Sequence, residues 1–164
     1  MHSLPSLNFP ACRLRISKRA GVQAVWDELR RRWLVLTPEE WVRRHAIHFL
    51  ENGMGAVALY MAQEVPVELH GQFQRADVVV YAPGRGKGEA NFPLMLVECK
   101  APEVTVDGAC LAQAVRYNSV IGARYIFLTN GLRHYFYERN ENGDYMPLKE
   151  IPCLESFFII PSPD

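Results

Sequence analysis

The chain has 164 residues, about half of them apolar, with 18 Lys and Arg set against 18 Asp and Glu. That length predicts one domain with a sizeable core, since single domains commonly run roughly 100 to 200 residues; the zero net charge excludes a polyanion binder acting through bulk charge alone. Four cysteines without a CxxC pair, no secretory signal pattern and no long apolar run predict a reduced, soluble, cytoplasmic protein with no membrane partner. The charge is unevenly spread, however. Residues 1–50 hold nine Lys/Arg against four Asp/Glu and the remainder nine against fourteen, so the N-terminal third is able to present a positive face or merely a solvated one.

Taken in order, Leu14-Arg15-Ile16 alternates and predicts a short strand, while Ala20 to Leu29 has only a weakly helical or irregular pattern. Arg30-Arg31-Arg32 then runs into the apolar Trp33-Leu34-Val35-Leu36, suggesting a small N-terminal hairpin. Thr37-Pro38-Glu39-Glu40 is a strong helix start, with Thr37 as N-cap, Pro38 at the first helical position and Glu40 at the capping-box position. That helix should run to Glu51 and stop at Asn52-Gly53. Its apolar stripe is Val42, Ala46, Phe49 and Leu50, and Glu39 lies in line with it, placed to look inward.

Val65 to Leu69 and Arg75 to Tyr81 predict two strands separated by a turn at Gly71, and Phe92 to Lys100 a third after the loop Pro83 to Gly88. Asp107 caps a second helix through Gly122, carrying Gln113, Arg116 and Tyr117. Arg124 to Thr129 is a buried strand, His134 to Glu138 pairs back from Asn130-Gly131, Asn142-Gly143 marks a further hairpin, and an apolar tail covers Phe157 to Ile160. The expected fold is an α/β core with a mixed sheet and a helix on each face, in the order α-β-β-β-α-β plus an extra β-hairpin. The predicted organisation is a single domain over 1–164, with an N-terminal extension (1–36), a core (37–140) and a C-terminal strand and tail (141–164).

The organising stretch is Phe92 to Pro102, where Leu94-Met95-Leu96-Val97 leads to Glu98-Cys99-Lys100. Ionic side chains at the end of so apolar a strand are costly without a partner or a task. Strand alternation puts Glu98 and Lys100 on one face and Cys99 on the other. An antiparallel hairpin brings Asp77, expected at the start of its strand, beside Glu98. Two adjacent carboxylates disfavour double ionisation unless a cation lies between them, and oxygen ligands suit Mg2+, with Mn2+ as an alternative. Lys100 would stand beside that site as a positive charge for a phosphate or a water, a constellation favouring phosphodiester hydrolysis.

Blander readings compete. Asp77 reads equally as a turn acid, Glu39 and Glu40 as acids favoured by the helix dipole, and Gln113 with Tyr117 as packing. Arg30 to Arg32 and Arg43-Arg44 are either a grip on a DNA backbone or solvated charge. The glycine loop lacks a following helix and His45/His48 lack partners at ligand spacing, which disfavours nucleotide and zinc sites.

Asp77 followed by Glu98-Cys99-Lys100 resembles the PD-(D/E)xK nuclease motif. The wider set, Leu36 to Glu40 with Val42-Arg43, Arg75 to Tyr81, Leu94 to Pro102, Gln113-x-x-x-Tyr117-Asn118 and Leu128 to Gly131, resembles the nuclease domain at the N-terminus of type I restriction enzyme R (motor) subunits. The resemblance covers roughly residues 33–140. It implies a restriction-endonuclease-like core and a metal-dependent DNA endonuclease in which Asp77 and Glu98 ligate the metal and Lys100 is the catalytic lysine. It also implies that Gln113 and Tyr117, on one helix face, position the site and the DNA. An acid on the first helix joins the metal site in such proteins; Glu39 fits by its facing, Glu40 less so because the cap explains it. Ala76 replaces the motif's proline. No GxxxxGK[ST] occurs, so a motor and the other restriction-modification subunits would be separate partners. The alternative is a non-cleaving nuclease-fold module that binds DNA or a restriction complex. RNA as substrate and a homodimer stay open.

Overall fold

The computed structural model describes residues 4–159. Ahead of the core stands a three-stranded antiparallel sheet of β1 (Ile16–Arg19), β2 (Val22–Asp27) and β3 (Arg32–Val35). The segment from Ala20 to Leu29 thus holds strand β2 between two turns and no helix, and the expected hairpin is a three-stranded sheet. Its concealment has a local cause: the β1–β2 turn is Ala20-Gly21 with both φ values positive (46° and 81°), a primed-turn geometry usually announced by Asn or Gly at the first position. Asp27 builds the next turn by accepting from the Leu29 and Arg30 N–H groups at 3.0 and 3.1 Å.

Helix α1 (Pro38–Asn52) begins where expected, with Thr37 Oγ1 accepting from the Glu40 N–H at 3.1 Å. The capping box is only half formed. Glu40 does not reach back to the cap but turns inward to Arg43 and Arg44, because those guanidiniums are buried and need a counter-charge. After α1 come β4 (Met61–Leu69), β5 (Gln72–Ala82), β6 (Phe92–Cys99), α2 (Gly108–Ile121), β7 (Tyr125–Thr129), β8 (His134–Arg139) and β9 (Tyr145–Pro147). The six strands lie in chain order in one sheet; β6 and β7 are parallel and the other neighbouring pairs antiparallel. The parallel pair follows from α2, whose crossover needs a helix's length to return the chain to the same end. Asp107 accepts from Ala109 and Cys110 N–H groups at the helix start, and Gly122 closes the helix in the left-handed region at φ 78°.

The sheet separates two apolar layers. Val42, Ala46, Ile47 and Leu50 of α1 pack on Val78, Val80, Met95, Val97, Cys99 and Phe127, where Phe127 stacks on Phe136 at 4.3 Å between centroids. Ala114 and Tyr117 of α2 pack on Val79, Leu96, Ile126 and Leu128 of the opposite face. One helix on each face is the expected architecture. In the tail, a 3₁₀ turn spans Glu155–Phe157, and Phe157 and Phe158 pack on the first layer; Ile160, expected to continue that apolar tail, lies outside the described residues. No helix among the described residues is long and apolar enough to cross a membrane, and all four cysteines are free thiols.

The N-terminal sheet is tied to the core by charge. Asp27 is fully buried and faces Arg44 at 2.7 Å and Arg30 Nε at 2.5 Å, while Gln63 of β4 donates to both its oxygens. Arg30 also pairs with Glu64 of β4. Removing one member of a buried pair strands the other, which typically costs about 3–5 kcal/mol. Asp27→Ala is therefore expected to lower unfolding free energy by roughly that amount, read as a reduced midpoint in urea denaturation.

Candidate active site

The β5–β6 ladder runs as far as Val78↔Val97. One step further, side chains take over from backbone: the Asp77 N–H donates to Glu98 Oε1 at 3.2 Å, and the Cys99 N–H donates to Asp77 Oδ2 at 2.7 Å. Each carboxylate thus satisfies a donor on the other strand, and the two are held side by side. Asp77 stands in the middle of β5 and not at its start. The strand begins earlier, at Gln72, because the tight turn His70-Gly71 (φ 52° and 77°) lets β5 pair with β4 from Leu69↔Gln72 onward.

The sheet is irregular here. Glu64, opposite Asp77 between the pairs Gln63↔Val78 and Val65↔Ala76, has φ 51°. Ala76 packs in the layer under α2 and Val78 in the layer under α1, so the strand exchanges faces across Asp77 instead of alternating. A non-glycine residue in the left-handed region costs on the order of 1 kcal/mol or more and persists only where surroundings enforce it. Here the enforcement comes from the ion pair of Glu64 with Arg30 and the crossed hydrogen bonds of Asp77 and Glu98.

Cys99 lies fully buried in the α1 layer, and Lys100 reaches α2, as strand alternation requires. The Lys100 N–H donates to Thr129 O at 2.8 Å, fixing the backbone just beyond the end of β6. Lys100 Nζ donates to Gln113 Oε1 at 3.0 Å, Gln113 Nε2 donates to Tyr117 Oη at 3.0 Å, and the Tyr117 hydroxyl donates to Gln74 Oε1. The spacing of Gln113 and Tyr117 allows the middle step, since i and i+4 share a helix face. No sequence motif singles out Gln74. Only its place two residues before Ala76, on the β5 face toward α2, marks it.

On the α1 side, Arg43 Nη2 donates to Asp77 Oδ1 at 2.8 Å and to Glu39 Oε1 at 3.2 Å, and its Nη1 to Glu40 Oε2 at 3.1 Å. Arg43 is 7% and Arg44 4% exposed. Both are committed to carboxylates within the molecule, so neither alternative for them, a grip on a DNA backbone or solvated charge, holds. Glu40 is the deeper of the two helix-start acids. The Glu39 side chain is 47% exposed and approaches Asp77 only through Arg43. Burial and then the Asp77 charge push its carboxyl above the usual value. Among the described residues no three Asp, Glu, His or Cys side chains form a metal-holding group, so the convergent acids are the pair Asp77 and Glu98.

The pair is electrostatically coupled. Burial, followed by the Asp77 charge, pushes the Glu98 carboxyl up to about 8. At neutral pH without a cation the pair thus shares about one proton, and Arg43 meets the charge on Asp77. The raised pKa means that the folded state holds an extra proton between the ordinary value of 4.5 and about 8. Its stabilising contribution is complete below about pH 4.5 and is lost as pH rises to about 8. Glu98→Gln cannot ionise, so in chelator its thermal midpoint is expected to fall less than that of the parent protein across this window; parallel melting curves would contradict the assignment.

Fold and site together define an α/β domain whose mixed sheet carries a buried acid pair beside a lysine. Residues 38–152 match the family described as Type I restriction enzyme R protein N terminus (HSDR_N), and the chain belongs to that family. The match supports a restriction-system, nuclease-related context and leaves β1, β2 and β3 outside it. No curated protein matches the chain.

Proposed function

We propose that the chain is a metal-dependent DNA endonuclease domain of a restriction system, with a restriction-endonuclease-like core and Asp77, Glu98 and Lys100 as its catalytic set. The observation that carries the reading is the Asp77–Glu98 pair, locked by reciprocal hydrogen bonds to each other's strands with Lys100 two residues on. Asp77 and Glu98 would hold Mg2+ or Mn2+ through carboxylate oxygens. Bound there, the ion supplies a water of lowered pKa and positive charge against a phosphodiester. Glu39 would join as a third ligand only by exchanging its contact with Arg43 for the ion.

Lys100 places an ammonium at the same edge, where it neutralises charge developing on the scissile phosphate or orients the attacking water. Gln113 accepts from that ammonium, limiting where Nζ swings, and Tyr117 and Gln74 brace Gln113 in turn. Gln113 and Tyr117 are therefore positioning groups for Lys100. Other restriction subunits and a DNA motor are the partners such a domain would serve.

A second reading has its own support. Both oxygens of Asp77 are already engaged, by Arg43 and by the Cys99 N–H, as they would be in a non-cleaving DNA-binding or complex-forming module. Two measurements decide between the readings. Lys100→Ala is expected to reduce Mg2+-dependent nicking of supercoiled plasmid by roughly 10²- to 10⁴-fold with the fold intact; unchanged nicking would remove Lys100 from the mechanism. Calorimetric titration with Mn2+ should give binding that Asp77→Asn eliminates, whereas no heat from the parent protein would favour the non-cleaving module.

A further inference from the structure

We propose that the N-terminal β1–β3 sheet is a phosphate-backbone clamp for duplex DNA, extending the substrate surface beyond the carboxylate site; its choice of partner rests on the nuclease reading. Within residues 13–36, Arg13, Arg15, Lys18, Arg19, Arg31 and Arg32 are exposed, against the single exposed acid Glu28. None of the six forms an ion pair among the described residues. The chain as a whole is neutral, so this sheet concentrates positive charge that the rest of the molecule balances elsewhere.

Arrangement adds to composition. Trp26 and Trp33 face each other across β2 and β3 with ring centroids 5.5 Å apart. The Arg15 guanidinium lies 4.8 Å from the centroid of Trp26, and that of Arg19 4.3 Å from Trp33. Stacking on an indole restrains a guanidinium while leaving its N–H edge unused, the form in which arginine meets phosphate oxygens in a fork. Arg13 and Lys18 are exposed on the same segment.

The turn from β2 to β3 carries Arg31, and Arg32 follows it as the first residue of β3. Their neighbour Arg30 pairs with Glu64, which stands opposite Asp77 in the sheet register. The buried Asp27 fixes that turn and binds Arg44 of α1. The clamp is thus rigidly indexed to the acid pair by charges that are themselves unavailable to DNA. Arg32 is the register partner of Asp27 and shares its sheet face, whereas Arg15 and Arg19 share the opposite face with Trp26 and Trp33, so the clamp presents positive charge on both faces of this sheet.

The test is fluorescence anisotropy with a labelled DNA duplex in chelator, where cutting cannot occur, across a series of salt concentrations. Replacing Arg15, Arg19, Arg31 and Arg32 together by Gln is expected to weaken binding at least tenfold and to make the slope of log affinity against log salt shallower by roughly 3 to 4, about 0.9 for each lost phosphate contact. The fourfold Lys variant keeps the charges and should keep the slope. Arg31→Gln with Arg32→Gln leaves the tryptophan stacks untouched and should remove about half of the effect. An unchanged affinity and slope in the Gln variant overturns the clamp, as does no duplex binding by the parent protein; equal losses in the Lys and Gln variants would assign these residues to packing instead. Preferential displacement by RNA of equal length overturns DNA as the partner. The nuclease reading fails separately, if Lys100→Ala nicks plasmid as the parent protein does.

Discussion

Two carboxylates inside a sheet impose the constraint from which most of this structure follows. A carboxyl group drawn out of water must be met by donors, an opposite charge or a proton; Glu98 is buried and the Asp77 side chain only 13% exposed. The two groups meet by crossing: Asp77 takes the Cys99 N–H, Glu98 takes the Asp77 N–H, and backbone pairing of β5 with β6 stops one residue short to allow it. What remains uncompensated is drawn from α1. Arg43 closes on Asp77, Glu40 answers Arg43 and Arg44, and Asp27 answers Arg44, so a local demand at the sheet becomes a charge network reaching the N-terminal sheet.

The two helices accordingly serve the site in different ways. Helix α1 supplies an ionic clamp buried beneath the acids, with Glu40, Arg43 and Arg44 on a face that also carries Val42, Ala46 and Leu50. Helix α2 supplies a neutral chain of hydrogen bonds that begins at Lys100 and ends on β5 at Gln74. A neutral chain restrains the ammonium while leaving its charge unspent, whereas a carboxylate in place of Gln113 would pair with it. Sequence outside the family match is no ornament: the buried charge of Asp27 makes β1–β3 part of the same electrostatic unit as Asp77.

Much of this was legible because its causes are local. Thr37-Pro38, Asp107 and Gly122 mark helix ends by hydrogen bonds within a few residues, and the facing of Glu98, Cys99 and Lys100 follows from the two-residue period of a strand. The grouping of Asp77 with Glu98 followed from a hairpin, and the family from the order of its motifs. Strand β2 was hidden because Ala20-Gly21 is a poor advertisement for a tight turn.

The sequence by itself determined the α/β order, the acid pair, the lysine and the Gln-x-x-x-Tyr helix face, since each rests on spacing along one element or across one hairpin. Only the tertiary structure decided that Asp77 lies mid-strand, that Glu40 is drawn inward while Glu39 stays half exposed, that Arg43 and Arg44 are spent on buried acids, and that Gln74 completes the chain from Lys100. Those outcomes turn on which charges meet after distant segments pack. A basic residue on a helix looks the same in sequence whether it faces water or a carboxylate 34 positions away, as Arg43 does with Asp77.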